Sequence, residues 1–236
     1  MVSPKPFNIP SARKSVESVK SVDSKGLPRS FDVVVSLIGL VVAAPVIFAS
    51  AVAVALTSPG GFLFRHERVG RHGEIFVLYK LRTMLASGSG PQITKRDDSR
   101  ITTVGRFLRK TKLDELPTLW NVLRGDMALV GPRPEVPVYV RLSDPMWQTV
   151  LAVKPGVTDP VTLKLRNEQE LLTRVGGDTE DYYLNKLQPS KLKGYVAYLE
   201  KRTWRSDLKV LWQTVQAVLF GARVPEFHPN GSTDPI

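Results

Sequence analysis

Apolar residues follow one another almost without interruption over residues 31–56. A helix of about 20 apolar residues can cross the hydrocarbon core of a bilayer, so this run predicts a membrane segment over residues 29–61. A secretory signal explains the run less well, because it is long, begins far from Met1 and lacks a convincing small-residue cleavage site. We therefore expect the segment to be retained as a membrane anchor.

Pro45 lies near the centre of this apolar run. A proline inside a helix removes a backbone hydrogen bond and kinks the helix. Basic residues flank both ends of the run: Lys20, Lys25, Arg29, Arg65, Arg68 and Arg71. The positive-inside rule assigns both flanks to the cytoplasm, and a re-entrant hairpin with two cytoplasmic termini satisfies both. A straight transmembrane span that tolerates Pro45 remains an open alternative.

Residues 62–221 alternate short apolar runs with amphipathic stretches, and no low-complexity linker marks a second domain. Extended segments are predicted at 74–80 and 100–104. Helical spacing is found in two groups of apolar residues: Leu116, Leu119, Trp120 and Leu123, and then Leu208, Leu211, Trp212, Val215 and Leu219. The pattern predicts an α+β, mainly helical globular domain between flexible tails at 1–28 and 222–236.

The second helical group has the composition of an interfacial helix. Trp204 and Trp212 lie beside Arg205 and Lys209, and this mixture suits a helix in the membrane interface. Ordinary core packing explains the apolar face of this helix about as well. We expect a membrane-associated domain with amphipathic interfacial helices.

The net charge favours anionic partners but does not identify which one. The chain has 33 Lys and Arg against 22 Asp and Glu, a formal net charge of +11. That excess suits a nucleic acid, an anionic membrane surface or a phosphorylated substrate. The absence of cysteine excludes thiolate nucleophiles, disulfides and Cys-ligated zinc, and is compatible with a reducing cytoplasm. With three histidines, a multi-His metal site is disfavoured.

Acidic and basic residues concentrate in residues 113–135, LDELPTLWNVLRGDMALVGPRPE. Asp114 is expected either at the start of a helix, with Pro117 in the first turn, or at the third helical position with Thr111 as N-cap. Either placement puts its carboxylate in the positive field of a helix N-terminus, which favours the ionised form and a nearby phosphate. An ionised carboxylate there can attack phosphorus, although a plain helix cap is the alternative function.

Two arginines accompany Asp114. Arg109 precedes it by about one helical turn, and Arg133 lies in a turn stiffened by two prolines, so both are candidates for binding phosphate oxygens. Glu115 is expected to point roughly 100° away from Asp114, with a different task or merely on a solvated helix face. The common ATP and dinucleotide loops are missing. A diphosphate substrate would favour Mg²⁺ over a metal that prefers soft ligands.

Three long blocks resemble the bacterial sugar transferases, the monotopic phosphoglycosyl transferases with a re-entrant membrane helix. These blocks are FLFRHERVGRHGEIFVLYKLRTM at 62–84, DDSRITTVGRFLRKTKLDELPTLWNVLRGDMALVGPRPE at 97–135 and KPGVTD at 154–159. With the apolar segment and Pro45, the resemblance covers roughly residues 29–221. It identifies 62–221 as a phosphoglycosyl transferase catalytic domain.

The resemblance implies a ping-pong reaction at the cytoplasmic face of the bacterial inner membrane. Asp114 matches the nucleophile that attacks a UDP-sugar, releases UMP and passes the sugar phosphate to a polyprenol phosphate such as undecaprenyl phosphate. Glu115 matches a second acid that acts on the metal or the acceptor, so Asp114 and Glu115 are the expected Mg²⁺ ligands. Arg109 and Arg133 match phosphate-binding positions. The product would start a surface glycan, in exopolysaccharide or lipopolysaccharide biosynthesis.

Weaker expectations concern the nucleotide and other partners. Lys80 and Arg82 are candidates for contacting the nucleotide. Tyr182, Tyr183 and Asp207 also match family positions, where they can pack or orient the residues of the site. Anionic lipid is an expected partner and nucleic acid is not, while a homodimer is left open.

The chain also departs from the common family pattern. His66 and Thr118 stand where the family often has glutamine, and neither position belongs to the Asp114–Glu115 pair. After Thr158 the sequence DPVTLKLRNEQELL replaces a commoner glycine-led continuation, and the segment up to Trp204 is longer than in minimal members. The donor sugar is therefore not predicted.

Two other function classes remain. A membrane-tethered binding protein would explain the charge and the anchor, but not the gathering of acids and arginines around residues 131–134. A glycosyltransferase that moves sugar without phosphate commonly has an Asp-x-Asp motif, and the adjacent Asp97 and Asp98 lack that spacing. The released nucleotide separates the two enzyme classes, because phosphosugar transfer gives UMP and glycosyl transfer gives UDP.

Overall fold

A computed structural model describes residues 25–85, 93–94, 98–165, 168–174 and 178–220. The α-helices are α1 (Arg29–Thr57), α2 (Thr103–Thr111), α3 (Thr118–Arg124), α4 (Pro145–Val150), α5 (Pro160–Lys164), α6 (Glu168–Arg174), α7 (Thr179–Tyr182), α8 (Gln188–Glu200) and α9 (Trp204–Leu219). The strands are β1 (Leu63–Val69), β2 (Ile75–Leu81), β3 (Ala128–Val130) and β4 (Gly156–Thr158). The expected α+β, mainly helical class is confirmed. Most of the expected tails lies outside the described residues.

The apolar run forms one continuous helix, α1, that passes through Pro45. Along its axis, a helix of 29 residues is about 44 Å long at 1.5 Å per residue, and if straight it would exceed the roughly 30 Å of a bilayer core. Its apolar side chains are widely exposed, Val42 and Phe48 each by 73%. A helix of this length and exposure indicates association with a membrane.

Both ends of α1 pack on the same globular domain. Near the first end, Arg29 Nη2 donates to the carbonyl of Leu123 at 3.0 Å, and Asp32 Oδ1 accepts from the backbone N–H of Leu129 at 3.2 Å. Near the other end, Val54 packs in a buried cluster with two residues of the domain, Leu81 and Leu108. The domain therefore holds α1 at two separated points, with the exposed middle of the helix between them.

Strands β1 and β2 form an antiparallel hairpin, in which Val69 pairs with Ile75 and Leu63 with Leu81. The expected extended segment at 74–80 is confirmed as β2. The expected segment at 100–104 is wrong in its second half. Ile101 makes a single bridge to Met84, but Thr102 then caps α2 by accepting the backbone N–H of Gly105.

Strands β3 and β4 form a short parallel pair beside the turn at residues 131–134. The backbones of the two segments approach so closely that a Cβ on Gly156 would lie 2.1 Å from the backbone nitrogen of Gly131. Only glycine fits such an approach. Close packing of β3 against β4 thus fixes the backbone from which Arg133 projects.

A buried ion pair joins three distant segments of the chain. Arg202 Nη2 donates to Asp207 Oδ2 at 2.8 Å and to the carbonyl of Val130 at 2.9 Å. Asp207 Oδ2 also accepts from the backbone N–H of Leu27 at 3.0 Å, and its Oδ1 accepts a short hydrogen bond from the hydroxyl of Tyr198. The pair thereby ties the segment before α1, the end of β3 and the start of α9 together.

Helix α9 begins with a capping box made by Thr203 and Ser206. One face carries exposed apolar side chains, with Trp204 exposed by 50% and Trp212 by 62%, whereas Val210 and Ala217 are buried. The predicted helix is confirmed. Core packing alone does not account for its exposed apolar face.

Candidate active site

Asp114 and Glu115 lie at the junction between α2 and α3, in a single 3-10 turn over Leu113–Glu115. Lys112 has a left-handed backbone, φ 60°, that ends α2, and Pro117 is the N-cap of α3. Thr111 belongs to α2 and its hydroxyl donates to the carbonyl of Phe107, so the expectation that Thr111 caps the next helix is wrong. Asp114 precedes α3 instead of belonging to it.

Glu115 is held by two cations. Arg133 Nη2 donates to Glu115 Oε1 at 2.5 Å, and Lys80 Nζ donates to the same oxygen at 2.8 Å. A longer contact of 3.4 Å joins Arg133 Nη1 to Oε2, so the arginine forks over the carboxylate. The alternative of a solvated helix face is wrong for Glu115, whose side chain is 19% exposed.

The charges in this cluster shift one another's pKa. Burial alone would raise the pKa of Glu115, but Arg133 and Lys80 hold it well below its usual value. Burial lowers the pKa of Lys80 to about 8, against the opposing effect of Glu115. The negative charge of Glu115, which outweighs burial, raises the pKa of Arg133. Glu115 is therefore an ionised counter-ion for two buried cations.

Asp114 has surroundings that differ from those of Glu115. Its exposed fraction is 8%, and its Oδ1 is buried without a hydrogen-bond partner among the residues that the structure describes. Burial and the charge of Glu115 raise the pKa of Asp114, while Lys80, Lys112 and Arg109 lower it. We expected a helix N-terminus to dominate this balance, but burial has the larger effect. In its ionised form, an oxygen with no hydrogen-bond donor keeps its lone pairs available for attack on phosphorus.

Arg109 lies on α2 and reaches the same space. Its Nε donates to the hydroxyl of Thr83 at 2.8 Å, whereas its Nη1 is buried with no partner in the described part of the chain. Helix α2 comes close to Thr83 because it has glycine at 105, where a Cβ would lie 2.0 Å from the Thr83 carbonyl oxygen. Thr83 therefore fixes the Nε edge of the guanidinium, and Nη1 is left to donate to an anion.

Lys80 lies near the end of β2 and Arg82 just beyond it, but their side chains have different partners. The side chain of Asn121 donates to the Val77 carbonyl and accepts the Tyr79 N–H, which fixes β2 on α3 and brings Lys80 to Glu115. Arg82 instead donates through Nη2 to the carbonyl and hydroxyl oxygens of Ser58, at 2.8 and 2.9 Å, just beyond α1. Nucleotide contact by Arg82 stays a prediction, and the contact that the structure gives it is structural.

A single cavity of about 970 Å³ joins these groups. It is lined by all six residues proposed from the sequence for the catalytic, phosphate and nucleotide roles: Lys80, Arg82, Arg109, Asp114, Glu115 and Arg133. Side chains drawn from β2, α2, the 3-10 turn and the turn after β3 thus meet in one place. A nucleoside diphosphate-sugar matches the size and the charge of this cavity.

Sequence reasoning did not propose Arg68, Glu135 or Lys191, which line the same cavity. It gave Tyr183 only a packing or orienting role. Arg68 Nη1 donates to the carbonyl of Pro134 at 3.2 Å and lies 3.6 Å from Glu135 Oε1, and the hydroxyl of Tyr183 makes a short hydrogen bond to the other Glu135 oxygen. Glu135 closes the 113–135 block, which was a usable signal. Lys191 also lines the cavity and gave no signal, since it belongs to an amphipathic helix of ordinary composition.

The two departures from the family pattern lie close to the site. His66 lines the cavity and its Nδ1 is 3.2 Å from Arg68 Nη2. Thr118 donates its hydroxyl to the backbone carbonyl of Glu115 at 2.6 Å. Thr118 therefore helps to hold the 3-10 turn that carries the acid pair.

A metal ion would find few protein ligands here. No group of three or more His, Cys, Asp or Glu side chains suited to a metal occurs among the described residues. Asp114 Oδ1 is an available oxygen ligand, whereas both oxygens of Glu115 already accept from cations. This fits Mg²⁺, which often uses one or two carboxylates and completes its shell with substrate phosphates and water.

Comparisons with known proteins identify the family of the chain. The family model described as bacterial sugar transferase matches residues 24–221. The chain belongs to the bacterial sugar transferase family. The exopolysaccharide production protein ExoY of Sinorhizobium fredii is 30% identical over 229 residues, a match that covers 90% of this chain and 92% of that protein.

Two further relatives have names that state a reaction. The UDP-glucose:undecaprenyl-phosphate glucose-1-phosphate transferase of Caulobacter vibrioides is 35% identical over 196 residues, 81% of this chain and 69% of that protein. The undecaprenyl-phosphate galactose phosphotransferase of Salmonella typhimurium is 35% identical over 214 residues, 83% of this chain but 41% of that protein. This bacterial sugar transferase therefore spans less than half the length of its Salmonella relative.

Proposed function

We propose that this chain transfers a sugar phosphate from a UDP-sugar to a polyprenol phosphate, undecaprenyl phosphate by analogy with its relatives, through a covalent intermediate on Asp114. Its class, a phosphoglycosyl transferase, follows from the family and from the reactions named for its relatives. The observation that carries the proposed mechanism is the buried Asp114 oxygen without a partner in the described structure, in a cavity with Arg109 and Arg133.

In the first step, a carboxylate oxygen of Asp114 attacks the β-phosphorus of the donor. A bond forms between this oxygen and phosphorus, and the bond from the β-phosphorus to the bridging oxygen breaks, so UMP leaves with that oxygen and its electron pair. The guanidinium of Arg109 has donors directed away from Thr83 that can bind phosphate oxygens as charge moves to the leaving group.

In the second step, the phosphate oxygen of the polyprenol phosphate attacks the phosphorus of the aspartyl phosphosugar. A diphosphate bond forms and the bond to Asp114 breaks, which restores the free carboxylate and gives a polyprenol diphosphate-sugar. This product would start the assembly of a surface glycan. Two displacements at one nucleophile are the basis of ping-pong kinetics.

Glu115 is proposed to prepare the site for both steps. Its ionised carboxylate keeps Arg133 and Lys80 together at the edge of the cavity through short contacts. Burial and the Glu115 charge raise the pKa of Asp114, and the nearby cations of Lys80, Lys112 and Arg109 oppose that rise. Activation of the acceptor by Glu115 remains a further prediction.

Mg²⁺ is proposed as the cofactor. Asp114 would supply a protein oxygen and Glu115 a second ligand only if it released one of its cations. When bound, the ion supplies neutralisation of the diphosphate charge. Arg109 and Arg133 would orient the phosphates beside it.

The membrane arrangement is proposed to be re-entrant, with both termini at the cytoplasmic face of the inner membrane. A straight span would carry the two ends of α1 to opposite sides of the bilayer, but residues near both ends, Asp32 and Val54, contact one domain. The exposed apolar face of α9, with Trp212, would lie in the interface of the same leaflet. Binding to anionic lipid and a homodimer stay predictions.

One experiment tests the reaction class. Purified protein in detergent is incubated with a UDP-sugar, Mg²⁺ and undecaprenyl phosphate, and the released nucleotide is identified by chromatography. UMP is expected. Release of UDP would support the sugar-only glycosyltransferase, and no release with any donor would support a binding protein.

The intermediate is tested by mass spectrometry of protein quenched with donor and Mg²⁺ but no acceptor. A sugar-phosphate adduct should map to the peptide that contains Asp114. The Asp126→Asn variant is the matched control for the loss of an acid and should still form the adduct. Asp126 lies just beyond α3 and pairs with Arg124 and Asn121. An adduct on another residue would overturn the covalent role of Asp114 while leaving the class intact.

A further inference from the structure

The cavity extends beyond Arg133 to an ion pair that the proposed mechanism does not use. Lys191 Nζ lies 3.2 Å from each carboxylate oxygen of Glu168 and 3.5 Å from the hydroxyl of Tyr183. The exposed fractions of the two charged side chains are 8% for Lys191 and 25% for Glu168, and both line the cavity. Lys191 Nζ also lies 5.2 Å from the centre of the Tyr183 ring.

Removing two charges from water is costly, and apolar residues would fill the same wall with less penalty. A paired carboxylate and ammonium on a cavity wall are, however, well suited to a ligand rich in hydroxyl groups. The carboxylate accepts hydrogen bonds from the hydroxyls, and the ammonium donates hydrogen bonds to their oxygens. Tyr183 adds an aromatic surface beside the pair. These groups offer the chemistry that a sugar ring requires.

The position of the pair agrees with the order of groups in the donor. Arg133, Glu168 and Tyr183 line one cavity, and the hydroxyl of Tyr183 donates to Glu135, two residues beyond Arg133. In a UDP-sugar the sugar is attached directly to the β-phosphate that Asp114 would attack. A sugar held by Glu168 would therefore be adjacent to a phosphate held by Arg133.

The sequence around the pair provides an independent reason. Glu168 lies in the stretch 159–172, where the chain departs from the common family pattern, and Lys191 lies in the longer segment that leads to Trp204. Two relatives named for different sugars, galactose and glucose, are each 35% identical to this chain over about 200 residues. The subsite that contacts the sugar is the part of such an enzyme that must differ when the donor differs.

We propose that Lys191, Glu168 and Tyr183 form the donor-sugar subsite and that it selects neutral hexosyl groups with free hydroxyls. This inference rests on the proposed function. A uronic acid would bring a carboxylate that Glu168 repels as Lys191 attracts it, so its desolvation would not be offset. The pair is thus a specificity determinant for a neutral sugar.

The test measures kcat/KM for UMP release with UDP-glucose, UDP-galactose, UDP-N-acetylglucosamine, UDP-N-acetylgalactosamine and UDP-glucuronic acid, together with inhibition by UMP. One of the four neutral donors should be the best substrate and UDP-glucuronic acid a poor one. Glu168→Gln should lower kcat/KM for the best donor by about 10- to 100-fold, as expected for the loss of charge-assisted hydrogen bonds. Inhibition by UMP should change less than about twofold, because UMP carries no sugar.

The matched control is Glu170→Gln, the same change on the same helix at a position that is not among the described residues lining the cavity. A second variant combines Glu168→Lys with Lys191→Glu, which preserves an ion pair but exchanges its donor and acceptor. A pair that serves only the structure would be rescued by this exchange, whereas a sugar-binding pair would leave a folded protein with low kcat/KM. If Glu168→Gln fails to fold, the exchanged pair decides the question.

Three results would overturn the subsite. They are a preference for UDP-glucuronic acid, an equal loss of donor use and of UMP inhibition in Glu168→Gln, or wild-type kinetics in the exchanged pair. Failure of the proposed function looks different, because the unaltered protein would then release no UMP from any donor.

Discussion

Replacing Arg133 with lysine keeps a positive charge but removes the planar fork. In the structure this fork makes two contacts to Glu115, of 2.5 and 3.4 Å, and has further N–H groups for a phosphate. A lysine can direct one ammonium at either partner and cannot grip two oxygens in parallel. Losing one charge-assisted hydrogen bond costs roughly 2 kcal/mol, which is about a 30-fold fall in kcat/KM.

The assay is steady-state UMP release, with thermal unfolding in detergent to check that Arg133→Lys folds. Arg124→Lys is the matched control, because its side chain is 49% exposed and its ion pair with Asp126 is 3.6 Å long. Exposed ion pairs contribute little, so this control should stay within about twofold of the unaltered protein. If Arg133→Lys also stays within about threefold, Arg133 is a structural turn residue and its assignment to phosphate is refuted.

Three other changes have definite expected outcomes. Asp114→Asn should fold and bind membranes but form no adduct, and Asp114→Glu should be severely impaired because its added methylene displaces the attacking oxygen; mass spectrometry and UMP release measure both. Single cysteines placed at 25 and 67 should label from the same side of the membrane, and labelling from opposite sides would exclude the re-entrant arrangement. The Pro45→Leu variant should favour the straight span. Arg202→Leu should lower the free energy of unfolding by about 3–5 kcal/mol in denaturant titrations, since it leaves Asp207 buried and unpaired, whereas exposed Arg205→Leu should change little.

Local patterns were sufficient for the two longest helices and for the acids and arginines that meet in the cavity. The apolar run predicted α1 and the spacing of Trp212 with its neighbours predicted α9, because both signals lie within one element. The acids and arginines of 113–135 also predicted a common site. Their convergence is largely local, since one turn carries Asp114 and Glu115 and the turn at Arg133 follows within 18 residues of Glu115.

Contacts between distant segments were not predictable in the same way. Strand β1 carries alternating charges that do not resemble a buried strand, and it forms because β2 pairs with it across a turn in which His72 and Gly73 both have positive φ. The partner of Arg82 lies 24 residues away at Ser58, and that of Lys191 lies 23 residues away at Glu168. No periodicity encodes such pairs, because they arise only when whole elements pack.

The neighbouring residues Arg82 and Thr83 connect the anchor to the chemistry. Arg82 holds Ser58 just beyond α1, and the hydroxyl of Thr83 accepts from Arg109 in the cavity. A chain shortened to begin after α1 would remove the Val54 carbonyl that accepts from Ser58. Ser58 would then be less well placed to hold Arg82, beside the residue that fixes Arg109. Solubility and activity are therefore not separable by trimming the anchor. In the re-entrant arrangement proposed above, α1 would also set the height of the Asp114 carboxylate above the membrane surface, where the phosphate of a polyprenol acceptor would meet it.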